Sequence, residues 1–490
     1  MNGTGRAQTI RSLLEGPLDL LVIGGGIVGA GIARDAAMRG LRVGLVERHD
    51  FAFGASSRSS RLLHGGVRYL AQGRLGLVRQ ASVEKRILHH IARHLAEPLA
   101  FVFPAYRGTD WPLWQLRIGV KIYDLLCGGR NFGKSSSMTC EQVVNRVPGL
   151  EKQQLTGAMR YFDGLTNDAR LVLDTLRSAA RNGATVMNYL KFKNASHATD
   201  GPGWVCELED QLSLAVHQAR ANAVVNATGP WADGLPHSQV TLRLTKGIHL
   251  VTERKRLPLP EAMVITQGKR ILFVIPWGER LIIGTTDTDY QGSLDDVRAE
   301  PEDIAYLLRA LAEFFPSAAM SEADIIATWA GLRPLLADGA GAGGPSDISR
   351  AHQIRTPEPG WWDVAGGKLT TYRLMAEQAV NEIVGWLKKL NELNGEMAPC
   401  RTAEEPLLAP AETEGVSGIL PPEFSRPAVE HYCANEWAVH LDDVMVRRSN
   451  WHYYFREAPL MADQVVQWMG QCLGWSAERR ALELERYERV

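Results

Sequence analysis

The stretch DLLVIGGGIVGAGIAR, residues 19–34, decides the fold of the N-terminal part of the chain. Its first residues form a short apolar run, which is typical of a buried parallel strand. The run continues into Gly24-x-Gly26-x-x-Gly29 and then into a predicted helix. In such a turn the glycines permit a tight bend, close approach of a pyrophosphate and close packing of helix on strand. The N–H groups at the helix N-terminus then favour a bound phosphate.

A second apolar run, residues 41–46, ends at Glu47. In dinucleotide-binding folds, an acidic residue about 20 residues after the glycines binds the ribose hydroxyls. Glycine clusters alone also mark ordinary loops. Here the strand, turn, helix and second strand occur in order, so the sequence predicts a dinucleotide site.

Composition and charge bound the class of protein. With 45% hydrophobic and 22% charged residues, the chain is typical of a globular protein, and its 490 residues predict two or three domains. The formal net charge of −1 argues against a broad nucleic-acid surface, so no nucleic-acid partner is expected.

Cysteines and hydropathy indicate the compartment. The six cysteines are scattered, without a C-x-x-C pair or a Cys/His cluster, which fits a reducing compartment and predicts no metal site. No apolar run is long enough to span a bilayer. We therefore expect a cytoplasmic protein, with peripheral attachment to the inner face of the cell membrane as the alternative.

A polar loop, residues 51–70, follows the predicted nucleotide fold and carries four serines and three arginines. Long loops in compact domains are usually functional. With the motifs that follow it, this loop resembles the FAD-dependent glycerol-3-phosphate dehydrogenases, which are respiratory, quinone-linked flavoenzymes of the D-amino-acid-oxidase-like superfamily. The matching motifs occur in family order at residues 24–35, 56–57, 63–70, 167–171, 226–231, 246–249, 283–287, 331–334 and 366–373.

The resemblance implies an α/β fold, in which a Rossmann-like FAD-binding domain carries an antiparallel-sheet substrate domain and a small C-terminal helical domain. Gly278-Glu279 reads as a two-residue hairpin turn within that antiparallel sheet. The predicted boundaries are 1–90, 165–240 and 325–394 for the FAD-binding domain, 91–164 and 241–324 for the substrate domain, 395–426 for a linker, and 427–490 for the helical domain.

The implied reaction is oxidation of sn-glycerol 3-phosphate to dihydroxyacetone phosphate by hydride transfer to FAD, with the electrons passed to a quinone. The oxidation also needs a base for the hydroxyl proton, and histidine titrates near neutrality. His249 and His64 both lie in matching motifs, and we favour His249 as the base with His64 as support on the flavin side. Lys368 is the third predicted catalytic residue, either binding phosphate or stabilising reduced flavin.

The resemblance also assigns binding residues. Arginine suits bidentate phosphate binding, and threonine can hydrogen-bond substrate hydroxyls. The predicted substrate contacts are Arg68, Tyr69, Thr285, Arg333 and Arg350. The predicted cofactor contacts are Gly24, Gly26, Gly29, Glu47, Ser56, Ser57, Ala227, Thr228, Gly229, Gly367, Lys368, Leu369 and Thr370.

Three alternative functions stay open: a dehydrogenase for a related polyol phosphate such as erythritol phosphate, an oxidase that uses oxygen, and a non-catalytic flavin-binding scaffold. A homodimer is a further expectation. Residues 111–126 form a predicted amphipathic helix with an apolar stripe that includes Trp111 and Trp114, beside Arg117 and Lys121. We favour burial of this stripe in a core, and a membrane surface is the alternative.

Overall fold

The computed structural model describes residues 3–66, 70, 73–128, 131–268, 270–337, 352–390 and 397–490. Its strands, in chain order, are β1 (Leu18–Ile23), β2 (Val43–Val46), β3 (Leu62–Leu63), β4 (Glu97–Tyr106), β5 (Ser136–Met138), β6 (Leu155–Leu165), β7 (Thr185–Met187), β8 (Leu190–His197), β9 (Trp204–Asp210), β10 (Val216–Asn226), β11 (Leu242–Glu253), β12 (Ala262–Gln267), β13 (Arg270–Trp277), β14 (Arg280–Gly284), β15 (Thr288–Asp289), β16 (Ile325–Leu336), β17 (His352–Glu358) and β18 (Trp361–Gly366).

The α-helices are α1 (Gly3–Leu14), α2 (Ile27–Met38), α3 (Leu75–Ile91), α4 (Leu113–Leu126), α5 (Cys140–Arg146), α6 (Asp168–Arg181), α7 (Pro301–Phe314), α8 (Tyr372–Lys389), α9 (Pro410–Thr413), α10 (Arg426–Asn435), α11 (Trp451–Tyr454), α12 (Ala458–Leu473) and α13 (Ala477–Tyr487). Among the helices of these described residues, none is both long and apolar enough to cross a bilayer.

The first sheet is built around β1, as the opening stretch predicts. Its order is β17-β18-β10-β1-β2-β7, and β1 pairs in parallel with both β10 and β2. Helix α2 follows the glycine turn and packs against α6 and α8 on one face of the sheet. All β1 side chains except Asp19 are buried, because helices and the β8–β9 hairpin cover both faces of the sheet. The predicted Rossmann-like arrangement of parallel strands and helix is confirmed.

The second sheet is mainly antiparallel, in the order β15-β11-β14-β13-β12-β4-β6-β3, with β16 paired to β11 and β5 paired to β6. The hairpin turn at Gly278-Glu279 is confirmed, because Trp277 pairs with Arg280 across it. Gly278 has a φ of 59°, a left-handed conformation that favours glycine in this type of turn.

The chain returns to the first sheet later than we expected. The sequence analysis placed residues 325–394 in the FAD-binding domain, but β16 pairs along its length with β11 of the second sheet. An apolar strand pattern does not tell which sheet a strand joins, because the pairing is set by distant partners. The full division into domains stays a prediction.

The preferred orientation of the helix at residues 111–126 was wrong. Helix α4 buries Leu116, Val120 and Tyr123. Most of the predicted core stripe instead faces solvent, with Trp114 61% and Leu125 77% exposed, while Trp111 before the helix packs against the core. The helix is apolar on more than one side, so periodicity alone could not identify the face that meets β6 and β4.

The predicted linker is packed in its described part, residues 397–426. Leu407 is buried and its N–H donates to the Ile91 carbonyl, while the Ile419 carbonyl accepts from Trp277 Nε1. Proline and glycine make the backbone irregular here without making it independent of the core. Helices α10–α13 follow and share one core with the second sheet, which agrees with the predicted helical C-terminal region.

Candidate active site

A cleft of about 390 Å³ lies between the two sheets. The turn after β1, the loop before β3 and the ends of β10 and β18 line one side. Strands β11 and β16 and the segment after β14 line the other. The cleft therefore brings together the predicted dinucleotide turn and the predicted substrate residues.

The glycine turn leaves room for a ligand at one position and for the protein backbone at another. A Cβ on Gly29 would lie 2.0 Å from the carbonyl oxygen of Gly24, so only glycine fits there. A Cβ on Gly26 would meet only Ser56 Oγ, at 3.2 Å. Gly26 lines the cleft and begins α2, so its open side is the place where a pyrophosphate can approach backbone.

Glu47 lies at the end of β2 and lines the same part of the cleft. Its Oε2 accepts from Gly25 N–H and its Oε1 from His49 N–H, each at 2.8 Å. Burial raises the pKa of this carboxyl, while the two backbone donors oppose that shift. Two fixed carboxylate oxygens at this position fit the ribose contact of a dinucleotide.

The remaining predicted cofactor residues surround this turn. Ser56 Oγ accepts from Ile27 N–H at 3.1 Å, and Ser57 is buried beside it. The other contacts that line the cleft follow β10 and β18; they are Ala227, Thr228, Gly229, Gly367, Lys368 and Leu369. Thr370 is buried next to this wall, where its Oγ1 accepts from His64 N–H at 3.1 Å.

His249 lies on β11 and faces the cleft from the second sheet. Its ring stacks on Trp329, with centroids 5.2 Å apart, and its Nε2 lies 2.8 Å from Ser60 Oγ. Burial, and then the charges of Arg333 and Arg61, hold the pKa of His249 well below its usual value. The imidazole is therefore neutral near pH 7, which is the form that can accept a proton.

Arg333 lies on β16, the strand paired with β11. Its guanidinium donates to Thr285 Oγ1 at 2.9 Å and to Asp287 Oδ1 at 3.1 Å. A Cβ on Gly247 would lie 2.3 Å from Arg333 Nη2, so the glycine makes space for the guanidinium. Thr285 and Arg333 thus form one polar group on the cleft wall.

Not every predicted residue can be placed. Arg68, Tyr69 and Arg350 lie outside the described residues, so their roles stay predictions. His64 lines the cleft close to the Lys368–Leu369 segment, and its support on the flavin side stays a prediction.

The sequence analysis missed Ser60 and Arg58, which line the cleft, and Trp329, whose ring stacks on His249. Arg58 lines it, and burial lowers the pKa of its guanidinium. Among the described residues, no carboxylate oxygen lies within 4 Å of that guanidinium, so its charge is not locally neutralised. The loop 51–70 was noted for its serines and arginines, but composition did not show which of them face inward.

A family model for FAD-dependent oxidoreductases matches residues 19–377. The chain belongs to this family. A second model, the C-terminal domain of alpha-glycerophosphate oxidase, matches residues 414–480. As an FAD-dependent oxidoreductase, the protein uses FAD, and the open side of Gly26 with the fixed oxygens of Glu47 fits that cofactor.

Similar proteins come from several bacteria. The chain is 36% identical over 405 residues to the aerobic glycerol-3-phosphate dehydrogenase of Staphylococcus haemolyticus, covering 81% of this chain and 72% of the relative. It is 36% identical over 408 residues to the Bacillus subtilis protein of the same name, covering 82% and 73%.

Among solved structures, the glycerol-3-phosphate dehydrogenase of Bacillus halodurans, complexed with FAD, superposes with a TM-score of 0.78. It is 28% identical, and the match covers 99% of this chain and 97% of that one. Glycine oxidase of Geobacillus kaustophilus, with a TM-score of 0.59, 21% identity and coverage of 78% and 96%, shares the fold.

Proposed function

We propose that this FAD-dependent oxidoreductase oxidises sn-glycerol 3-phosphate to dihydroxyacetone phosphate. The observation that carries the proposal is that His249 and Arg333 face the same cleft as the dinucleotide turn. The names of the Staphylococcus and Bacillus relatives support the choice of substrate.

In this reaction FAD supplies the hydride acceptor when bound. The chain supplies the other needs. The neutral imidazole of His249 takes the hydroxyl proton, and its buried position keeps the ring from being protonated by solvent. The Trp329 ring and the β11 backbone hold that base in place.

The substrate's phosphate needs cations. Arg333 already has Asp287 as an ion-pair partner, so part of its charge is neutralised and its geometry is fixed. Arg58 adds a partly buried guanidinium and Lys368 adds an ammonium group to the cleft wall. We propose that these cations hold the substrate's phosphate or stabilise negative charge on reduced flavin. Arg68 and Arg350, which the sequence analysis predicted as phosphate contacts, are proposed to act with them.

A quinone is the proposed acceptor, and it requires contact with a membrane. The exposed stripe of α4 consists of Trp114, Ile118, Ile122 and Leu125. Arg117 and Lys121 lie exposed on the same helix, and such a combination favours an anionic lipid surface. We therefore propose peripheral attachment to a membrane through α4. The alternative is that a second copy of the chain covers this face in a homodimer.

Turnover of the purified, FAD-loaded protein with an artificial dye acceptor tests the proposed substrate. We expect glycerol 3-phosphate to give the highest kcat/KM in a panel that includes erythritol phosphate and free glycerol. Preference for erythritol phosphate would move the function to the related dehydrogenase. Rapid peroxide formation with oxygen, without quinone reduction, would support the oxidase, and no turnover with any member would support the scaffold.

A further inference from the structure

Ser60 lies in a segment whose backbone is held on both sides. Ser59 N–H donates to Asp168 Oδ2 at 2.9 Å, and the Ser59 carbonyl accepts from Trp329 Nε1 at 3.2 Å. Arg61 N–H in turn donates to Ser59 Oγ at 3.0 Å. These contacts hold the backbone on either side of Ser60, whose hydroxyl lies 2.8 Å from His249 Nε2.

The two nitrogens of the His249 ring have different surroundings. Nδ1 is buried and has no hydrogen-bond partner among the residues that the structure describes. The ring's Cδ2 edge faces Gly284, where a Cβ would lie only 2.4 Å away. Nε2 is therefore the nitrogen with a polar neighbour, and that neighbour is the Ser60 hydroxyl.

Exposure places Ser60 on the cleft side of this pair. His249 is only 2% exposed, whereas Ser60 is partly exposed and also lines the cleft. A proton that leaves a substrate in the cleft reaches the Ser60 hydroxyl more readily than it reaches the imidazole. A neutral imidazole has one lone pair, so the useful tautomer carries its proton on Nδ1 and accepts at Nε2.

We propose that Ser60 relays the substrate's hydroxyl proton to Nε2 of His249. As the carbinol carbon of the substrate loses its hydride to FAD, the O–H bond of the hydroxyl on that carbon breaks. The hydroxyl oxygen then becomes a carbonyl oxygen. That proton passes to Ser60 Oγ while the Ser60 hydroxyl proton passes to Nε2, which gives an imidazolium ion and restores the serine. The inference rests on the proposed role of His249 as the base.

Three variants test the relay in the FAD-loaded enzyme: Ser60→Ala, Ser60→Thr and His249→Asn. General acid–base groups contribute about 10²- to 10⁴-fold to rates. We expect Ser60→Ala to lower kcat by about 10²-fold with little change in KM, and Ser60→Thr, which keeps the hydroxyl, to retain kcat within a few-fold. Ser178→Ala also removes a serine hydroxyl, one that accepts from Arg34 away from the cleft, and is the control.

The pH profile and the tautomer give readouts beyond rate. Wild-type kcat should rise with pH through the pKa of His249, and this rise should be lost in Ser60→Ala. Nitrogen NMR of ¹⁵N-histidine-labelled protein should show His249 protonated on Nδ1. Full activity of Ser60→Ala beside an inactive His249→Asn would overturn the relay alone, whereas full activity of both would remove the base assignment itself. The opposite tautomer would also overturn the relay.

Discussion

Arg170 and Glu436 form a bidentate ion pair that joins the first-sheet layer to the C-terminal helical region. Nη1 lies 2.6 Å from Oε2 and Nη2 lies 2.8 Å from Oε1, and both side chains are buried. Arg170 also contacts Asp174 at 2.9 Å, so the guanidinium is held between two acids. The helical region is thus attached by buried charge as well as by apolar packing.

We expect Glu436→Gln to lower the free energy of unfolding by about 3–5 kcal/mol, because it leaves buried Arg170 without its main partner. Denaturant titration at pH 7 measures this loss. Glu430→Gln, in helix α10 just before Glu436, breaks only the exposed pair with Arg426 and should cost about 0–1 kcal/mol. Equal losses in the two variants would contradict the assignment.

The same pair predicts a dependence of stability on pH. The charge of Arg170 holds the pKa of Glu436 well below its usual value, against the effect of burial. Because the folded-state pKa is depressed, the stabilisation is present above the unfolded pKa of about 4.3 and is lost as pH falls below it. The difference in stability between wild type and Glu436→Gln should therefore shrink in acid. A constant difference would show that the carboxylate charge is not its source.

Two glycine substitutions should separate cofactor binding from folding. Gly26→Val directs its side chain into the open side of the turn, so the protein should fold but lose its flavin absorbance. Gly29→Ala would overlap the Gly24 carbonyl and should reduce the yield of folded protein. Absorbance spectra and circular dichroism of the purified variants measure both effects. A yellow, fully loaded Gly26→Val would place FAD elsewhere.

Arg333→Ala should raise KM for glycerol 3-phosphate and lower kcat/KM, because a partly buried cation is lost. The fall in kcat/KM should correspond to a loss of about 2–5 kcal/mol of transition-state stabilisation. Steady-state kinetics with a dye acceptor provide the measurement. Arg243→Ala is the control and should change little, because Arg243 on β11 makes only an exposed ion pair with Asp289 of β15 among the ion pairs that the structure describes. Free glycerol should be a very poor substrate, and equal turnover of glycerol and its phosphate would reject the role of Arg333.

Membrane attachment predicts that Trp114→Glu and Leu125→Glu reduce co-sedimentation with anionic phospholipid vesicles. Each places a negative charge on the exposed face of α4. High salt should weaken wild-type binding because part of it is electrostatic. Leu214→Glu, at a residue that is 73% exposed elsewhere, should bind as wild type does. Loss of a dimer in the α4 variants, without any vesicle binding by wild type, would favour the homodimer.

The local motifs were predictable from the sequence because their geometry is fixed by neighbours along the chain. The turn around Gly24–Gly29 and the hairpin at Gly278 are of this kind. The exposed face of α4 and the pairing of β16 were not, since both depend on which distant surface is available. Ser60 was missed for the same reason, because its partner His249 is 189 residues away.

The pairing of β11 with β16 fixes the distance along the cleft wall between residues on these two strands. His249 lies opposite Trp329, and Arg333 lies opposite Thr245, so the proposed base and the proposed phosphate cation stand on adjacent hydrogen-bonded strands. Strand geometry advances by about 3.3 Å per residue and does not stretch. If His249 and Arg333 hold the two ends of the substrate as proposed, we therefore expect a substrate with one more carbon between its reacting hydroxyl and its phosphate to be a poorer one. The fixed spacing along these two strands would then select substrates by length.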